Sequence, residues 1–192
     1  YLQPAMPEGA APGILKGMYR LRQHGDDETN KVRLLGSGTI LREIEAAAQM
    51  LHEDYGVTTE VWSVTSFNEL AREGQDVTRW NLLHPEEEPR VSFISESLQG
   101  DAPVVAASDY MKTLAEQLRP YIPANYKVLG TDGFGRSDTR EALRHFFEVD
   151  RKFITLAALR CLADEQKMSL DTVRDARDAL GIDPEKVNPR MA

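Results

Sequence analysis

The residues best suited to chemistry lie in one run, Gly130-Thr131-Asp132-Gly133-Phe134-Gly135-Arg136-Ser137-Asp138. It follows the short apolar segment YKVL and precedes the amphipathic segment TREALRHFFEV, so it reads as a strand-to-helix loop. The glycines free the backbone for sharp turns, and a loop at the C-terminal end of a strand is where α/β proteins usually hold ligands. A helix N-terminus there adds unpaired N–H groups and the positive end of a dipole, which suits an anion. Two readings follow. In one, Arg136 takes an anion with Asp132 as its partner. In the other, the glycines serve geometry alone and Asp138 with Glu141 caps the following helix. Gly36-Ser37-Gly38-Thr39 has the same form in miniature and reads as a tight turn. Neither loop carries the dinucleotide fingerprint or the lysine of a P-loop.

The other reactive residue types are dispersed. His24, His52, His84 and His145 share no metal-ligand spacing. His145 sits beside Phe146 and Phe147, where a packed imidazole is expected, and His84 before Pro85 reads as the end of a helix. No G-x-S-x-G elbow offers a serine nucleophile. Cys161 is the only cysteine and falls in an apolar helical run, which points to a buried thiol and rules out an intrachain disulfide. Glu86 to Glu88 reads as a solvated loop beside Arg90, with a surface ion pair of little consequence. Trp62, Trp80 and Phe67 are apolar anchors, either core or facing a neighbouring domain or subunit.

These residues need elements to position them. Residues 1–13, with three prolines and two glycines, suit an extended connector to an upstream domain, and 14–192 a single α/β domain. GMYRLR alternates like an edge strand that would pair antiparallel with KVRLL, itself a central strand. The helix LREIEAAAQMLHEDYG stops at Gly56. TTEVWSVTS is a strand, and Ser66 with Glu69 caps a helix expected to fray near Gly74. A helical turn at 92–98, the strand PVVAASDY, the helix MKTLAEQLRPYI and the strand YKVLG follow. Three helical segments close the chain, the last capped by Ser169. Repeated strand–helix alternation implies a mainly parallel sheet with helices on both faces.

At 192 residues, 41% hydrophobic and 28% charged, the chain has the balance of an ordinary globular protein. No apolar run approaches the roughly 18 residues of a membrane span, and no secretory signal opens the chain. A net charge of −8 argues against a general nucleic-acid or anionic-membrane binder. A reducing cytoplasm fits the single cysteine. The opening Tyr1-Leu2-Gln3-Pro4 lacks an initiating methionine and looks like the interior of a longer protein.

Several long strings carry a resemblance. SVTSFNELAREGQDVTRWNLLHP, ASDYMKTLAEQLRPYIP, YKVLGTDGFGRSDTREALRHFFEVD and the closing KVNPRMA resemble the C-terminal region of the homodimeric bacterial pyruvate dehydrogenase first components. PAMPEGAAPGILKGMYRL and LLGSGTILREIEAAAQMLHEDYGV resemble it too, and more distantly LLGSGT, SVTSF and DGFGRSD resemble segments of the transketolase C-terminal domain. The resemblance implies a five-stranded, mostly parallel mixed sheet flanked by helices. It also implies a parent enzyme that uses thiamine diphosphate and Mg2+, decarboxylates pyruvate, and reductively acetylates the lipoyl group of the dihydrolipoyl acetyltransferase component. The family's cofactor motif, G-D-G with a later asparagine pair, is not matched: Asp132-Gly133 follows Thr131, and no Asn-Asn pair occurs. No catalytic, cofactor or metal residue therefore carries over, and the chain alone is expected to be inactive and to bind neither cofactor. What carries over is regional: a domain that helps hold a homodimer together and buttresses the upstream domains. Asp132, Phe134, Arg136 and Ser137 of the glycine loop, with Trp80 and His84, are the candidate contact or anion-binding residues. Three alternatives remain open: a domain of another transketolase-like thiamine enzyme, an anion- or nucleotide-binding module, and a docking surface for a partner such as the acetyltransferase.

Overall fold

Strand β2 (Lys31–Gly36) is buried along its whole length and forms the middle of a five-stranded sheet. Its apolar residues alternate between faces, Val32 and Leu34 packing into one core and Leu35 into the other. On one edge it pairs in parallel with β3 (Thr58–Val64), on the other with β4 (Val104–Ala107), and β5 (Tyr126–Leu129) extends the sheet beyond β4. The computed structural model describes residues 5–192.

The first strand, β1 (Met18–His24), pairs antiparallel with β3, not with β2 as its sequence position predicts. Both edges of β2 are already taken, so the free edge of β3 is where β1 finds its ladder. A register shift between Arg20 and Arg22 bends it there. The expected mixed sheet edge therefore exists with a different partner.

Helix α1 (Ala11–Lys16) ends at Gly17, whose φ of 108° closes it in the left-handed conformation. The last residues of the expected connector are thus helical, and its first four lie outside the described residues. Gly17 accepts hydrogen bonds from the N–H groups of Thr65 and Ser66, tying α1 to the end of β3.

One face of the sheet is covered by α2 (Leu41–Tyr55), α7 (Arg151–Asp164) and α8 (Leu170–Ala179). Ile44, Ala48 and Leu51 of α2 meet Ile154, Ala158 and Leu162 of α7 over Leu34, Val61 and Val105. Cys161 lies in this core, where burial pushes its thiol up to about 11. The other face carries α3 (Phe67–Leu83), α4 (Phe93–Ser97) and α5 (Lys112–Glu116), packed on Leu35, Trp62, Val104 and Val128.

The helix caps are local and follow the sequence. Ser66 accepts from Glu69 N–H, Asp150 from Phe153 N–H and Ser169 from Thr172 N–H. Two helix expectations fail. Helix α3 does not fray at Gly74 but runs unbroken to Leu83, and the missing side chain lets the Tyr121 ring pack where a Cβ would stand 2.8 Å from it. The close approach offsets the roughly 1 kcal/mol that glycine costs a helix. MKTLAEQLRPYI does not make one helix either. It ends as α5 at Glu116, and a 3-10 turn over Arg119–Tyr121 follows with Pro120 inside it.

Candidate functional site

After β2 the chain crosses to β3 on one side, and after β3 it returns to β4 on the other. The segments leaving β2 and β4 therefore diverge to opposite faces, which opens a crevice beyond their C-terminal ends. Both glycine loops arrive there. Thr39, from the first, donates its hydroxyl to Asp109 Oδ2 at 3.3 Å. Thr131, from the second, donates its hydroxyl to the Asp109 carbonyl at 3.1 Å and its N–H to the Tyr110 carbonyl at 2.9 Å. Gly130 must be glycine for this crossing, since a Cβ would stand 2.6 Å from the Tyr110 oxygen. The result is a crevice of about 380 Å3 lined by Thr39, Asp109, Thr131, Arg136 and Leu143 among others.

The predicted site residues take different parts in it. Asp132 faces away from any ligand role as partner of Arg136: its Oδ1 accepts the N–H of Lys112 at 3.0 Å and pins the loop to α5. The Arg136 guanidinium lies 4.2 Å from the centre of the Phe146 ring and lines the crevice. Phe134 points outward and is 83% exposed. Ser137 is exposed on the same loop. Gly133 holds a φ of 107°, and a Cβ on it would stand 2.3 Å from the Pro189 carbonyl oxygen. The C-terminal tail thus folds back onto the loop.

The capping pair is corrected. Helix α6 (Arg140–Phe146) is capped by Thr139, whose hydroxyl accepts the N–H of Ala142 at 3.2 Å. Asp138 instead accepts the N–H of Thr139 at 2.7 Å, one residue too early to cap. Thr139→Ala should cost about 1 kcal/mol of stability. Asp138→Ala should stay within about 0.5 kcal/mol, as surface changes do. Urea unfolding of the two variants reads the difference, and equal effects would restore Asp138 as the cap.

Trp80 and His84 form a separate cluster. Their rings stack at 4.5 Å, the His84 Nδ1 lies 2.8 Å from the Trp80 carbonyl oxygen, and Arg90 covers the indole at 3.8 Å. Arg90 therefore faces the indole rather than the acidic run 86–88. Trp80 stands roughly 20 Å along α3 from its start beside β3. The glycine loop and this cluster are not one surface.

Sequence reasoning missed Asp109, Thr39 and Glu43. An acid directly after the apolar run PVVAAS was the available signal for Asp109, since parallel strands end at ligand crevices. Nothing marked Glu43, a helix residue. It lies buried between α2, α6 and α7, 2.9 Å from Arg144 and 2.9 Å from Arg151, and it also accepts the Arg151 N–H at 3.1 Å. Burial works to raise its pKa, but the Arg151 hydrogen bonds and the charges of Arg151 and Arg144 hold it below the usual carboxylate range. This contact fixes α6, and with it Arg136 on Phe146, against the body of the domain. A second, wider cleft of about 840 Å3 opens on the far side of α6, lined by Arg22, Arg144, Arg151 and Lys152.

Residues 17–150 match the family model for the transketolase-like C-terminal domain. The chain belongs to that family. This transketolase-like domain is 56% identical over 191 residues to the pyruvate dehydrogenase E1 component of Pseudomonas aeruginosa. It is 56% identical over 193 residues to that of Escherichia coli and 55% identical over 192 residues to that of Cupriavidus necator. The alignments cover 98–100% of the chain but only about a fifth of those relatives, 22% in the first two and 21% in the third. Among solved structures, a transketolase of Pichia stipitis aligns with TM-score 0.57 over 86% of this chain and 21% of its own, at 16% identity. One from Campylobacter jejuni aligns with TM-score 0.51 over 76% and 18%, at 18% identity. These two establish the fold, including the five-stranded sheet. Among the described residues no helix is long and apolar enough to cross a membrane.

Proposed function

We propose that this transketolase-like domain is a structural and dimer-supporting part of a pyruvate dehydrogenase E1 component. The observation that carries the reading is the 55–56% identity along essentially the whole chain to E1 components of three bacteria. The parent would decarboxylate pyruvate with thiamine diphosphate and Mg2+, and reductively acetylate the lipoyl group of the dihydrolipoyl acetyltransferase component in the cytoplasm. The other transketolase-like enzymes are less well supported, since the transketolases themselves share only 16–18% identity.

Among the described residues no three His, Cys, Asp or Glu side chains converge as metal ligands, and Asp132 Oδ1 is taken by the Lys112 backbone. We assign this domain a contact role. Phe134 supports that reading. It is a large apolar side chain held outward on the glycine loop, with Tyr110 and Met111 exposed on the adjoining segment. Exposed aromatics of this kind become anchors when a partner surface closes over them.

In the full-length protein, Phe134→Asp should weaken the dimer roughly 30-fold, the effect of losing an interface anchor. Sedimentation at graded concentrations measures it, with pyruvate-dependent acetylation of a lipoyl domain as the companion assay. An unchanged dimer would remove the glycine loop from the interface. Absence of lipoyl acetylation by the unmodified full-length protein would remove the E1 assignment itself.

A further inference from the structure

The switch-point crevice has the makings of a small-molecule site that the E1 reading does not use. Its volume of about 380 Å3 falls at the lower end of ligand pockets and suits a molecule of nucleotide size. Three features give it polarity in a definite order.

The first is Arg136. Its guanidinium is positioned by the Phe146 face at 4.2 Å, and no carboxylate or carbonyl among the described residues takes any of its five N–H groups. A stacked guanidinium with free donors is pre-organised for a phosphate, which it can bind through two parallel hydrogen bonds. The second is the loop backbone. No acceptor among the described residues takes the N–H groups of residues 133–137, and Gly133 and Gly135 line the crevice. The third is Asp109, across the crevice. Its Oδ2 is met by Thr39, while Oδ1 has no hydrogen-bond donor among the described residues. A carboxylate so placed repels a phosphate but accepts hydroxyl groups. Ile40, Leu143 and Phe147 supply an apolar wall between the two ends.

We propose that this crevice binds a hydroxylated phosphate monoester of nucleoside size, its phosphate on Arg136 and the backbone at Gly133 and Gly135, its hydroxyls on Asp109. Phe134 leaves the same loop in the opposite sense, outward, so an interface on Phe134 and a ligand on Arg136 are compatible. The net charge of the chain is negative, and selectivity for a phosphate rests on these local donors rather than on a general field.

Calorimetric titration of the full-length protein with adenosine monophosphate, adenosine and inorganic phosphate tests this without recourse to enzyme activity. The monophosphate should bind more tightly than either part alone. Arg136→Ala should weaken it roughly tenfold or more, the loss of a bidentate charged contact. Asp109→Asn should weaken the monophosphate severalfold while leaving inorganic phosphate unchanged or improved. Circular dichroism of both variants establishes that they fold. No binding of the monophosphate at millimolar concentration, or binding that survives Arg136→Ala in a folded protein, would overturn the proposal. Equal loss of both phosphate probes in Asp109→Asn would overturn the orientation.

Discussion

Replacing Glu60 with alanine should destabilise the domain by about 3–5 kcal/mol, the cost of stranding buried cations. Glu60 sits on β3 at 7% side-chain exposure, within ion-pair distance of two similarly buried cations on β2. Lys31 Nζ lies 2.8 Å from it and Arg33 Nε 3.1 Å, and the Trp62 indole N–H donates to it at 3.3 Å. Lys31 has a second, exposed partner in Glu28, and Arg33 donates to the carbonyl oxygens of Leu98 and Gln99. Those contacts keep the cations from being wholly abandoned, but they do not replace the buried charge. Glu60→Gln retains hydrogen bonding and should cost less than alanine. Urea unfolding midpoints of the three proteins give the comparison, and a loss below 1 kcal/mol for alanine would mean that water reaches the network.

Glu43→Ala should cost about 2–3 kcal/mol, between the buried and the exposed limits, because the Arg151 side chain is 49% exposed and water can replace part of its pairing. The consequence for function is larger than the number. Arg144 on α6 and Arg151 on α7 both converge on this carboxylate. Without it α6 loses its charged tie to α2, and the Phe146 ring that positions Arg136 loses its support. The variant should therefore lose part of its affinity for a phosphate probe as well as stability. Retention of full affinity would show that packing around Leu143 and Phe147 holds α6 by itself.

Both acids also set a pH dependence. Burial tends to raise the pKa of Glu60, but the Lys31 hydrogen bond and the charges of Lys31 and Arg33 prevail and depress it. Glu43 is depressed in the same way by Arg151 and Arg144. A carboxyl with a lower pKa folded than unfolded contributes its full stability above the unfolded value. That contribution is lost as the pH falls through the folded value. The domain should therefore lose stability below roughly pH 4, and the two alanine variants should lose less over that range because they no longer carry the group. Unfolding midpoints measured from neutral pH downward test the slope, and parallel curves for wild type and variants would contradict it.

Much of the architecture was legible because it is written locally. Leu34 and Leu35 declare the two faces of a buried strand by period, and Ser66 and Ser169 declare helix starts through a hydrogen bond three residues away. The alternation of such elements is enough to require a parallel sheet covered on both sides. Two of the errors share one cause, which is that the deciding contact lies far away in the chain. Gly74 reads as a helix breaker until Tyr121 is placed against it. The β1 strand reads as a hairpin partner of β2 until β3 and β4 have occupied both edges. Asp138 is an exception, a local choice between two good caps, and backbone geometry selected Thr139.

The sequence by itself determined the α/β class, the helix caps at Ser66 and Ser169, the buried Cys161 and, through long strings such as GTDGFGRSD, the family. These depend on neighbours within a turn or on the order of residues itself. Only the tertiary structure decided what the glycine loops are for. Thr39 and Asp109 are 70 positions apart, and Glu43 and Arg151 are 108 apart. The reversal of strand order between β2 and β4 brings the first pair together, and packing of α2 against α7 brings the second. No spacing along the chain encodes either meeting, because each follows from where whole elements pack.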